Sequence, residues 1–225
     1  MRAAVSVIIP TLDAGRALPA CLSSLVEGLQ AGMIREVIVS DGGSRDATRR
    51  IADAAGAQVV TGPASRGGQL RRGAAAARGE WLLVLHADTV LPQGWTRTAR
   101  AQMRAGGPAA FRLSFDAAGV MPALVAGWAN LRSRVFGLPY GDQGLLVPRD
   151  SYEAAGGYPD IPLMEDVALA RALDRRIALM PLAVTTASDR YMRAGWLRRG
   201  ARNLGTLVRY LCGADPDRLA ARYRR

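Results

Sequence analysis

Four short apolar segments, separated by segments of helical spacing, constrain the fold of this 225-residue chain more than any other feature. They predict strands at Val5–Ile9, Glu36–Ser40, Ala57–Thr61 and Trp81–Leu85. The first segment is continuously apolar up to Pro10, which is typical of a strand buried on both faces. Strands that alternate with helices of this length imply right-handed crossovers and a parallel sheet. The first half therefore predicts an α/β fold whose ligands bind at the carboxyl ends of the strands.

Helical spacing fills the rest of the first half, and a less regular pattern follows. A leucine-rich helix is expected at Ala17–Leu29 and an alanine-rich helix near Gln69–Ala77. Ser44 is placed to cap a helix that runs to about Ala54. The second half predicts strands at Ala109–Phe115 and Gly144–Pro148 and helices at Val120–Phe136, Glu165–Leu173 and Trp196–Cys212. Because the sequence contains no internal repeat or linker, we predict one domain over residues 1–225.

Composition and charge exclude several classes of protein. The chain is 49% hydrophobic and 22% charged, so it is neither disordered nor fibrous. Of its net charge of +11, +8 lies in residues 190–225, which contain ten arginines against Asp215 and Asp217. Such a basic segment is able to bind anionic lipid headgroups or polyphosphate, or to form a solvated helical face. It contains few aromatic residues and no recognition motif, so no nucleic acid is expected as a partner.

No segment predicts a membrane span or a secretion signal. Ala117–Leu131 is interrupted by Pro122 and is shorter than the roughly 18 apolar residues that cross a bilayer. Val5–Pro10 is too short for a signal peptide. Cys21 and Cys212 are far apart and are expected to be reduced. We expect a cytoplasmic protein, and the basic segment leaves open a peripheral contact with the inner, anionic face of the membrane.

Three predicted strands run into acidic residues. Asp13 follows the first strand, Asp41 the second and Asp88 the fourth. A carboxylate just past a buried strand is poorly placed for packing and well placed to meet a ligand. Taken singly, Asp13 could cap a helix and Asp41 could be a turn residue before two glycines. Their shared position favours a ligand site at the carboxyl edge of the sheet.

Six motifs resemble the family-2 glycosyltransferases of GT-A fold, in the same order and over nearly the whole chain. They are VSVIIPT (Val5–Thr11), VSDGGSRDAT (Val39–Thr48), GEWLLVLHADTVLP (Gly79–Pro92), GLPYGDQG (Gly137–Gly144), GGYPDIP (Gly156–Pro162) and MEDVAL (Met164–Leu169). The chain looks most similar to a small bacterial branch found near radical-SAM genes. The resemblance implies a Rossmann-like, mostly parallel sheet flanked by helices, with a basic helical C-terminus. It also implies a nucleotide-sugar-binding half at residues 1–91 and an acceptor-binding, catalytic half at residues 92–225.

For the donor, the resemblance implies a nucleotide-diphosphate sugar, with a uracil-like base. Pro10 and Thr11 match backbone that lies against the base, near Asp13, and Asp41 matches the carboxylate that accepts a base N–H. Asp88 matches the last residue of the Asp-x-Asp signature, which holds Mn²⁺ or Mg²⁺ against the diphosphate.

Two features on the donor side leave alternatives open. His86, the single histidine, stands where most relatives carry Asp. It is interpreted first as a phosphate contact or a residue behind the metal, and second as a ligand that suits Mn²⁺ better than Mg²⁺. Arg66 and Arg71 are the preferred pair for forked binding of diphosphate oxygens, although a surface role is open for each.

On the acceptor side, Asp166 matches the residue that deprotonates the acceptor hydroxyl, and Glu165 matches a residue that orients it or binds acceptor. The alternative for this pair is capping of a helix and interaction with its dipole. Asp142 and Gln143, after Tyr140, form a turn that by resemblance recognises sugar or acceptor. Arg190 and Trp196 match a loop that closes over the diphosphate, although Asp189 departs from its basic pattern.

Three functions are therefore compared. The first is an inverting glycosyltransferase with a uridine-linked donor and an unidentified acceptor, either a lipid phosphate or a small molecule. The second is a nucleotidyltransferase on a similar sheet, although the chain lacks a glycine-rich, basic phosphate loop near its start. The third is a non-catalytic protein that binds anionic lipid or nucleic acid through its basic segment.

Overall fold

One mixed sheet of eight strands forms the centre of the computed structural model, which describes residues 3–223. The strands are β1 (Val5–Thr11), β2 (Ile34–Asp41), β3 (Gln58–Thr61), β4 (Trp81–Val84), β5 (Thr89–Val90), β6 (Ala109–Phe115), β7 (Leu145–Pro148) and β8 (Ala178–Thr186). Their order is β3–β2–β1–β4–β7–β6–β8–β5. Strands β1 to β4 pair in parallel, as do β6 and β8, whereas β7 runs antiparallel to β4 and β6, and β5 antiparallel to β8. The predicted α/β class and parallel first half are confirmed.

Helices flank both faces of this sheet. They are α1 (Leu18–Ser24), α2 (Val26–Gln30), α3 (Thr48–Ala54), α4 (Arg66–Ala76), α5 (Trp95–Ala105), α6 (Val120–Phe136), α7 (Arg149–Ala154), α8 (Glu165–Ala172), α9 (Asp189–Ala194), α10 (Trp196–Leu211) and α11 (Pro216–Tyr223). A single 3₁₀ turn, Gly141–Gln143, precedes β7. No helix within residues 3–223 is long and apolar enough to cross a membrane.

Two local predictions of the first half are wrong. The helix expected at Ala17–Leu29 is divided at Leu25 into α1 and α2. Ser44 caps no helix, because α3 begins only at Thr48, after Ala47, which makes no side-chain cap. The Ser44 hydroxyl instead donates a hydrogen bond to Asp41, and this bond organises the loop after β2. The Ser44 hydroxyl therefore binds a nearby carboxylate and does not form the helix cap that the sequence pattern predicts.

The core consists of two apolar layers, one on each face of the sheet. Strand β1 contributes to both, because alternate side chains of a strand point to opposite faces. Val7 and Ile9 pack with α1 and with the fully buried Trp95. Ile8 packs on the other face with Leu70 of α4. The prediction that the first strand is buried on both faces is confirmed, and its carboxyl end is fixed between the two layers.

Two glycines allow helix α4 to dock closely on the segment before α8. The backbone N–H of Gly67 donates to the carbonyl oxygen of Ile161 at 3.2 Å. A Cβ at Gly67 would overlap the carbonyl oxygen of Pro159, and one at Gly68 would lie 2.6 Å from Asp160 Oδ1. This contact fixes Arg66, the first residue of α4, beside the first turn of α8.

The basic segment, as far as residue 223, is folded onto the rest of the described chain. Helix α10 contacts α6, α9 and α11. Leu207 of α10 and Leu219 of α11 pack in one cluster with Leu163, Met164 and Val167 around the start of α8. The C-terminal helices therefore contribute to the region that holds Glu165 and Asp166.

Candidate active site

Two adjoining cavities open at the carboxyl ends of β1 and β4. The first, which we call the wide cleft, has a volume of about 560 Å³ and is lined by Pro10, Thr11, Asp13 and Gln69 among others. The second, which we call the inner pocket, has a volume of about 100 Å³ and is lined by Tyr140, Asp142, Glu165, Asp166 and residues of α9 to α11. Six residues line both cavities: Arg66, His86, Asp88, Leu163, Arg190 and Tyr223.

The wide cleft is lined by six of the residues predicted to bind the nucleotide sugar: Pro10, Thr11, Asp13, Arg66, His86 and Asp88. Asp13 is held from both sides by the loop after β2. Its Oδ1 accepts from the Arg45 N–H at 2.8 Å, and its own N–H donates to Ser44 Oγ at 2.8 Å. Asp13 adopts a left-handed conformation with φ of 49°. The helix-cap alternative for Asp13 is wrong, because α1 begins after Ala17 without a side-chain cap.

Asp41 lies beside the wide cleft and does not line it. Its side chain is fully buried. One carboxylate oxygen accepts from the hydroxyls of Thr11 (3.0 Å) and Ser44, and the other accepts from the N–H groups of Gly43 (2.9 Å) and Ser44 (2.8 Å). Burial acts to raise the pKa of Asp41, but these hydrogen bonds outweigh it and lower the pKa. Asp41 therefore stays ionised and shapes the loop that borders the cleft.

Asp88 stands where the two cavities meet. None of the hydrogen bonds or ion pairs within residues 3–223 engages its carboxylate, which leaves both oxygens available to a ligand. The same residues contain no group of three or more His, Cys, Asp or Glu side chains able to hold a metal. A divalent cation at Asp88 would therefore need further oxygen ligands from a bound molecule.

His86 lines both cavities, but its Nε2 is directed at protein. Arg66 Nη2 lies 3.4 Å from this nitrogen, and a Cβ added at Gly141 would overlap it. Burial, together with the charges of Arg66 and Arg190, lowers the pKa of His86 well below its ordinary value. The ring is therefore neutral and packed between two neighbours. This environment suits a residue that contacts the surroundings of a bound cation better than one that ligates the cation directly.

Arg66 and Glu165 form an ion pair across the site, with Nε 3.4 Å from Oε1. The Glu165 side chain is only 2% exposed, whereas that of Arg66 is 42% exposed. Burial raises the pKa of Glu165 to about 7; the charge of Asp166 adds to the rise and that of Arg66 opposes it. Its Oε2 is buried without a hydrogen-bond partner within residues 3–223. Glu165 thus holds Arg66 at the boundary between the cavities.

Asp166 points into the inner pocket and is tethered there by backbone. Its Oδ2 accepts from the Gly141 N–H at 2.9 Å, and its Oδ1 accepts from the Val167 N–H at 2.7 Å. The residue before α8, Met164, makes no side-chain cap. Asp88 and Asp166, which are distant in sequence, line the same pocket. This arrangement brings two carboxylates into the lining of one small pocket.

Asp142 and Gln143, adjacent in the 3₁₀ turn, have different environments. Asp142 lines the inner pocket, and its Oδ1 is buried without a partner within residues 3–223. Burial raises the pKa of Asp142 to about 6; Arg132 opposes the rise and Asp166 adds to it. Gln143 is fully buried and lines neither cavity. Its Nε2 donates to the carbonyl of Phe111 at 3.1 Å and its Oε1 accepts from Ser133, so it holds the turn in place.

The remaining predicted residues are divided between the site and its surroundings. Arg190 lines both cavities, whereas Arg71 is exposed on α4 and lines neither. Trp196 lies behind the pocket wall. Its ring stacks on Tyr191 at 5.0 Å and meets Phe115 edge-on at 5.0 Å, and those two rings face the pocket. Trp196 therefore supports the wall without lining it.

The sequence pattern did not predict a polar network in the lining of the inner pocket. Arg199 donates to the hydroxyl of Tyr223 at 2.6 Å, this hydroxyl donates to Asn203 Oδ1 at 2.9 Å, and Asn203 Nδ2 donates to the hydroxyl of Tyr191 at 2.9 Å. All four side chains line the pocket. Arg199 and Asn203 are four residues apart and so share one face of α10, which is the signal that could have identified them.

One family profile and one curated protein match part of the chain. The profile of Glycosyl transferase family 2 matches residues 6–126. A TPR repeat-containing protein of Synechococcus elongatus is 40% identical over 97 residues, a match that covers 42% of this chain and only 23% of that protein.

Solved structures share the fold. Glucosyl-3-phosphoglycerate synthase from Mycobacterium tuberculosis, in complex with Mn²⁺, UDP and glucosyl-3-phosphoglycerate, has a TM-score of 0.56 at 21% identity, over 81% of this chain and 70% of that one. S. aureus TarS 1-349 has a TM-score of 0.65 at 17% identity, over 98% of this chain and 70% of that one. These likenesses confirm the predicted GT-A fold. Because the family profile covers more than half of its length, the chain belongs to glycosyl transferase family 2.

Proposed function

We propose that the protein is an inverting enzyme that transfers a sugar from a nucleotide-diphosphate donor, with uridine as the base, to an acceptor hydroxyl. The observation that carries the proposal is the shared pocket of Asp88 and Asp166. Asp88 also lines the wide cleft, whereas Asp166 lines the inner pocket alone, so the proposal assigns Asp88 to the donor and Asp166 to the acceptor. An inverting transfer needs a base on the face of the sugar opposite the leaving group.

The wide cleft is the proposed donor site. Its volume of about 560 Å³ is the larger of the two, and Pro10, Thr11 and Asp13 line it at the end of β1. Arg66 and Arg190 line the boundary with the inner pocket, and in this proposal they bind diphosphate oxygens. The mycobacterial enzyme of the same fold was crystallised with UDP and with either Mn²⁺ or Mg²⁺, which supports the choice of donor and cation.

In the proposed reaction, the acceptor binds in the inner pocket and donates its hydroxyl proton to the Asp166 carboxylate. The acceptor oxygen forms a bond to the sugar C1 while the bond from C1 to the diphosphate oxygen breaks. The Gly141 N–H holds Asp166 Oδ2, which leaves the carboxylate oriented toward the pocket. A Mn²⁺ or Mg²⁺ ion held by Asp88 would neutralise charge on the departing nucleoside diphosphate.

The division of the chain follows from this proposal. Residues 1–225 form one domain, in which residues 1–91 bind the nucleotide sugar and residues 92–225 bind the acceptor. The lining of the wide cleft supports the first assignment through Pro10, Thr11 and Asp88. The lining of the inner pocket supports the second through Asp142 and Asp166. Neither the nucleotidyltransferase nor the non-catalytic alternative is favoured by a specific feature of these cavities.

The proposal is tested by incubating the protein with a panel of sugar nucleotides, with and without Mn²⁺, and identifying the released product. Slow hydrolysis reports the donor without knowledge of the acceptor. We expect release of UDP from at least one UDP-sugar, and stimulation by Mn²⁺. Release of pyrophosphate would instead indicate the nucleotidyltransferase. Absence of nucleotide binding in isothermal titration across the whole panel would overturn the proposal.

A further inference from the structure

Helix α6 carries an exposed apolar stripe. Val120, Leu124, Trp128, Leu131 and Val135 are 81%, 57%, 45%, 52% and 50% exposed, respectively. Their spacing of four, four, three and four residues places them along one face of the helix. The opposite face, which includes Pro122, Ala126 and Ala129, is buried. The stripe therefore extends along the outside of a helix whose inner face already packs on the domain.

Helix α10, which contacts α6, carries a second stripe. Leu197, Leu204, Val208 and Leu211 are 67%, 40%, 50% and 44% exposed, respectively. Their spacing of seven, four and three residues again places them on one helical face. We call the two exposed stripes together the α6–α10 face. Large apolar side chains that are exposed on two helices in contact mark a candidate interaction surface.

The charge of these helices indicates what covers the face. Neither α6 nor α10 contains Asp or Glu, whereas Arg134 on α6 and Arg198 and Arg209 on α10 are exposed. Arg198 and Arg209 lie eleven residues apart and so on one side of α10, next to its apolar stripe. A second copy of the chain would bring arginine against arginine. An anionic surface would pair with these charges while it buries the apolar side chains.

We propose that the α6–α10 face docks on the surface of an anionic lipid bilayer. Amphipathic helices bind such surfaces by burying their apolar face at the boundary between headgroups and acyl chains, and basic residues at the edge of that face attract the headgroups. Helix α10 turns Arg199 and Asn203 toward the inner pocket on its other face. Docking would therefore hold the pocket next to the membrane. The proposal does not depend on the assignment of donor or base.

Sedimentation of the full chain with vesicles tests this proposal. One set of vesicles contains phosphatidylcholine alone, and the other contains phosphatidylcholine with phosphatidylglycerol. We expect binding to the anionic vesicles and weak binding to the neutral ones. Leu131→Ser/Leu197→Ser should weaken binding by at least about tenfold, because two exposed apolar side chains are lost. Arg198→Gln/Arg209→Gln should weaken it by roughly 10- to 30-fold on anionic vesicles.

Matched control variants separate this face from general charge and hydrophobicity. Val26→Ser/Leu29→Ser removes side chains that are 45% and 51% exposed elsewhere on the surface. Arg49→Gln/Arg50→Gln removes two exposed charges on α3. Both controls should bind vesicles like the parent chain.

Three results would overturn the proposal. The first is absence of binding to anionic vesicles. The second is an equal loss of binding in the controls. The third is a dimer in light scattering that Leu131→Ser/Leu197→Ser dissociates while vesicle binding is unchanged, which would assign the face to a second copy.

Discussion

Arg66 Nε lies 3.4 Å from Glu165 Oε1, and this ion pair joins the first residue of α4 to the first residue of α8. The two helices come from different halves of the chain. Their contact forms the boundary between the wide cleft and the inner pocket, because Arg66 lines both cavities. The site is therefore formed where the start of α4 meets the start of α8, and close backbone packing between Gly67 and Ile161 holds these two segments together.

The buried carboxyl of Glu165 should make stability depend on pH. Burial raises its pKa to about 7, so between about pH 4.5 and pH 7 the folded protein keeps a proton that the unfolded chain has released. Stability from this group therefore decreases as the pH rises through that window. Glu165→Gln cannot ionise and should lack this decrease. Urea unfolding at about pH 5 and about pH 7.5 measures it.

Comparison of the parent chain with Glu165→Gln isolates this group from others. His86, whose pKa is lowered, contributes in the opposite direction, because its unfolded form takes up a proton as the pH falls below 6.5. Asp142, whose pKa is about 6, contributes in the same direction as Glu165 and is present in both proteins. Equal pH dependence in the two proteins would contradict the raised pKa of Glu165.

The close docking of α4 predicts that Gly67→Ala is destabilising. Its Cβ would overlap the carbonyl oxygen of Pro159, so the backbone must shift. We expect a loss of roughly 1–3 kcal/mol in the free energy of unfolding. Gly127→Ala, in the interior of α6 with open space around it, serves as the control and should gain about 0.5–1 kcal/mol. Urea titrations of the two variants give both values, and an unaffected Gly67→Ala would be inconsistent with this packing.

The hydroxyl of Tyr223 should contribute to the stability of the C-terminal helices. It accepts a hydrogen bond from Arg199 and donates one to Asn203. Tyr223→Phe removes both, and we expect a loss of about 1–2 kcal/mol. Tyr210→Phe is the matched control, because its hydroxyl makes no hydrogen bond within residues 3–223. Equal thermal unfolding of the two variants would show that the network is not formed.

Asp88 and His86 should differ in their effect on metal dependence. Asp88→Asn removes the proposed protein ligand of the cation and should lower turnover by about 100-fold or more at saturating donor. His86→Gln should leave the Mn²⁺ concentration for half-maximal activity nearly unchanged, because His86 Nε2 faces Arg66 and Gly141. A metal titration of both variants checks this. A large shift in His86→Gln alone would reassign the metal to the imidazole.

Much of the fold follows from local sequence pattern. The apolar segments of β1, β2 and β4 and the helical spacing of α6 and α10 were sufficient to predict these elements. Strand β8 (Ala178–Thr186) was missed, because it contains Pro181 and its two polar residues, Thr185 and Thr186, are adjacent at its end. Helix α5 was also missed; it is mostly polar and is fixed by the burial of Trp95. Tertiary packing, which a local pattern does not contain, decides such elements.

Site residues could be predicted where the side chain faces a cavity. They were harder to predict where neighbouring protein groups already bind the side chain. Asp88 could be assigned to a site because it follows a buried strand, and Asp166 because it matches a motif of the family that the chain resembles. Asp41 was expected to meet the base, yet four donors from its own loop and from Thr11 surround its carboxylate. Gln143 was expected to contact acceptor, yet buried backbone and side-chain groups engage its amide. These hydrogen-bonding partners belong to distant parts of the chain or to the backbone of a turn, and a local sequence pattern does not reveal them.

The most direct test of the central claim, that Asp166 acts as base across the pocket from Asp88, compares turnover and donor affinity in Asp166→Asn. Asp174→Asn, at an exposed position just after α8, is the control. We expect Asp166→Asn to lower turnover by about 10²–10⁴-fold while UDP affinity, measured by titration calorimetry, stays within about twofold. Retention of near-parental turnover in Asp166→Asn would contradict the account.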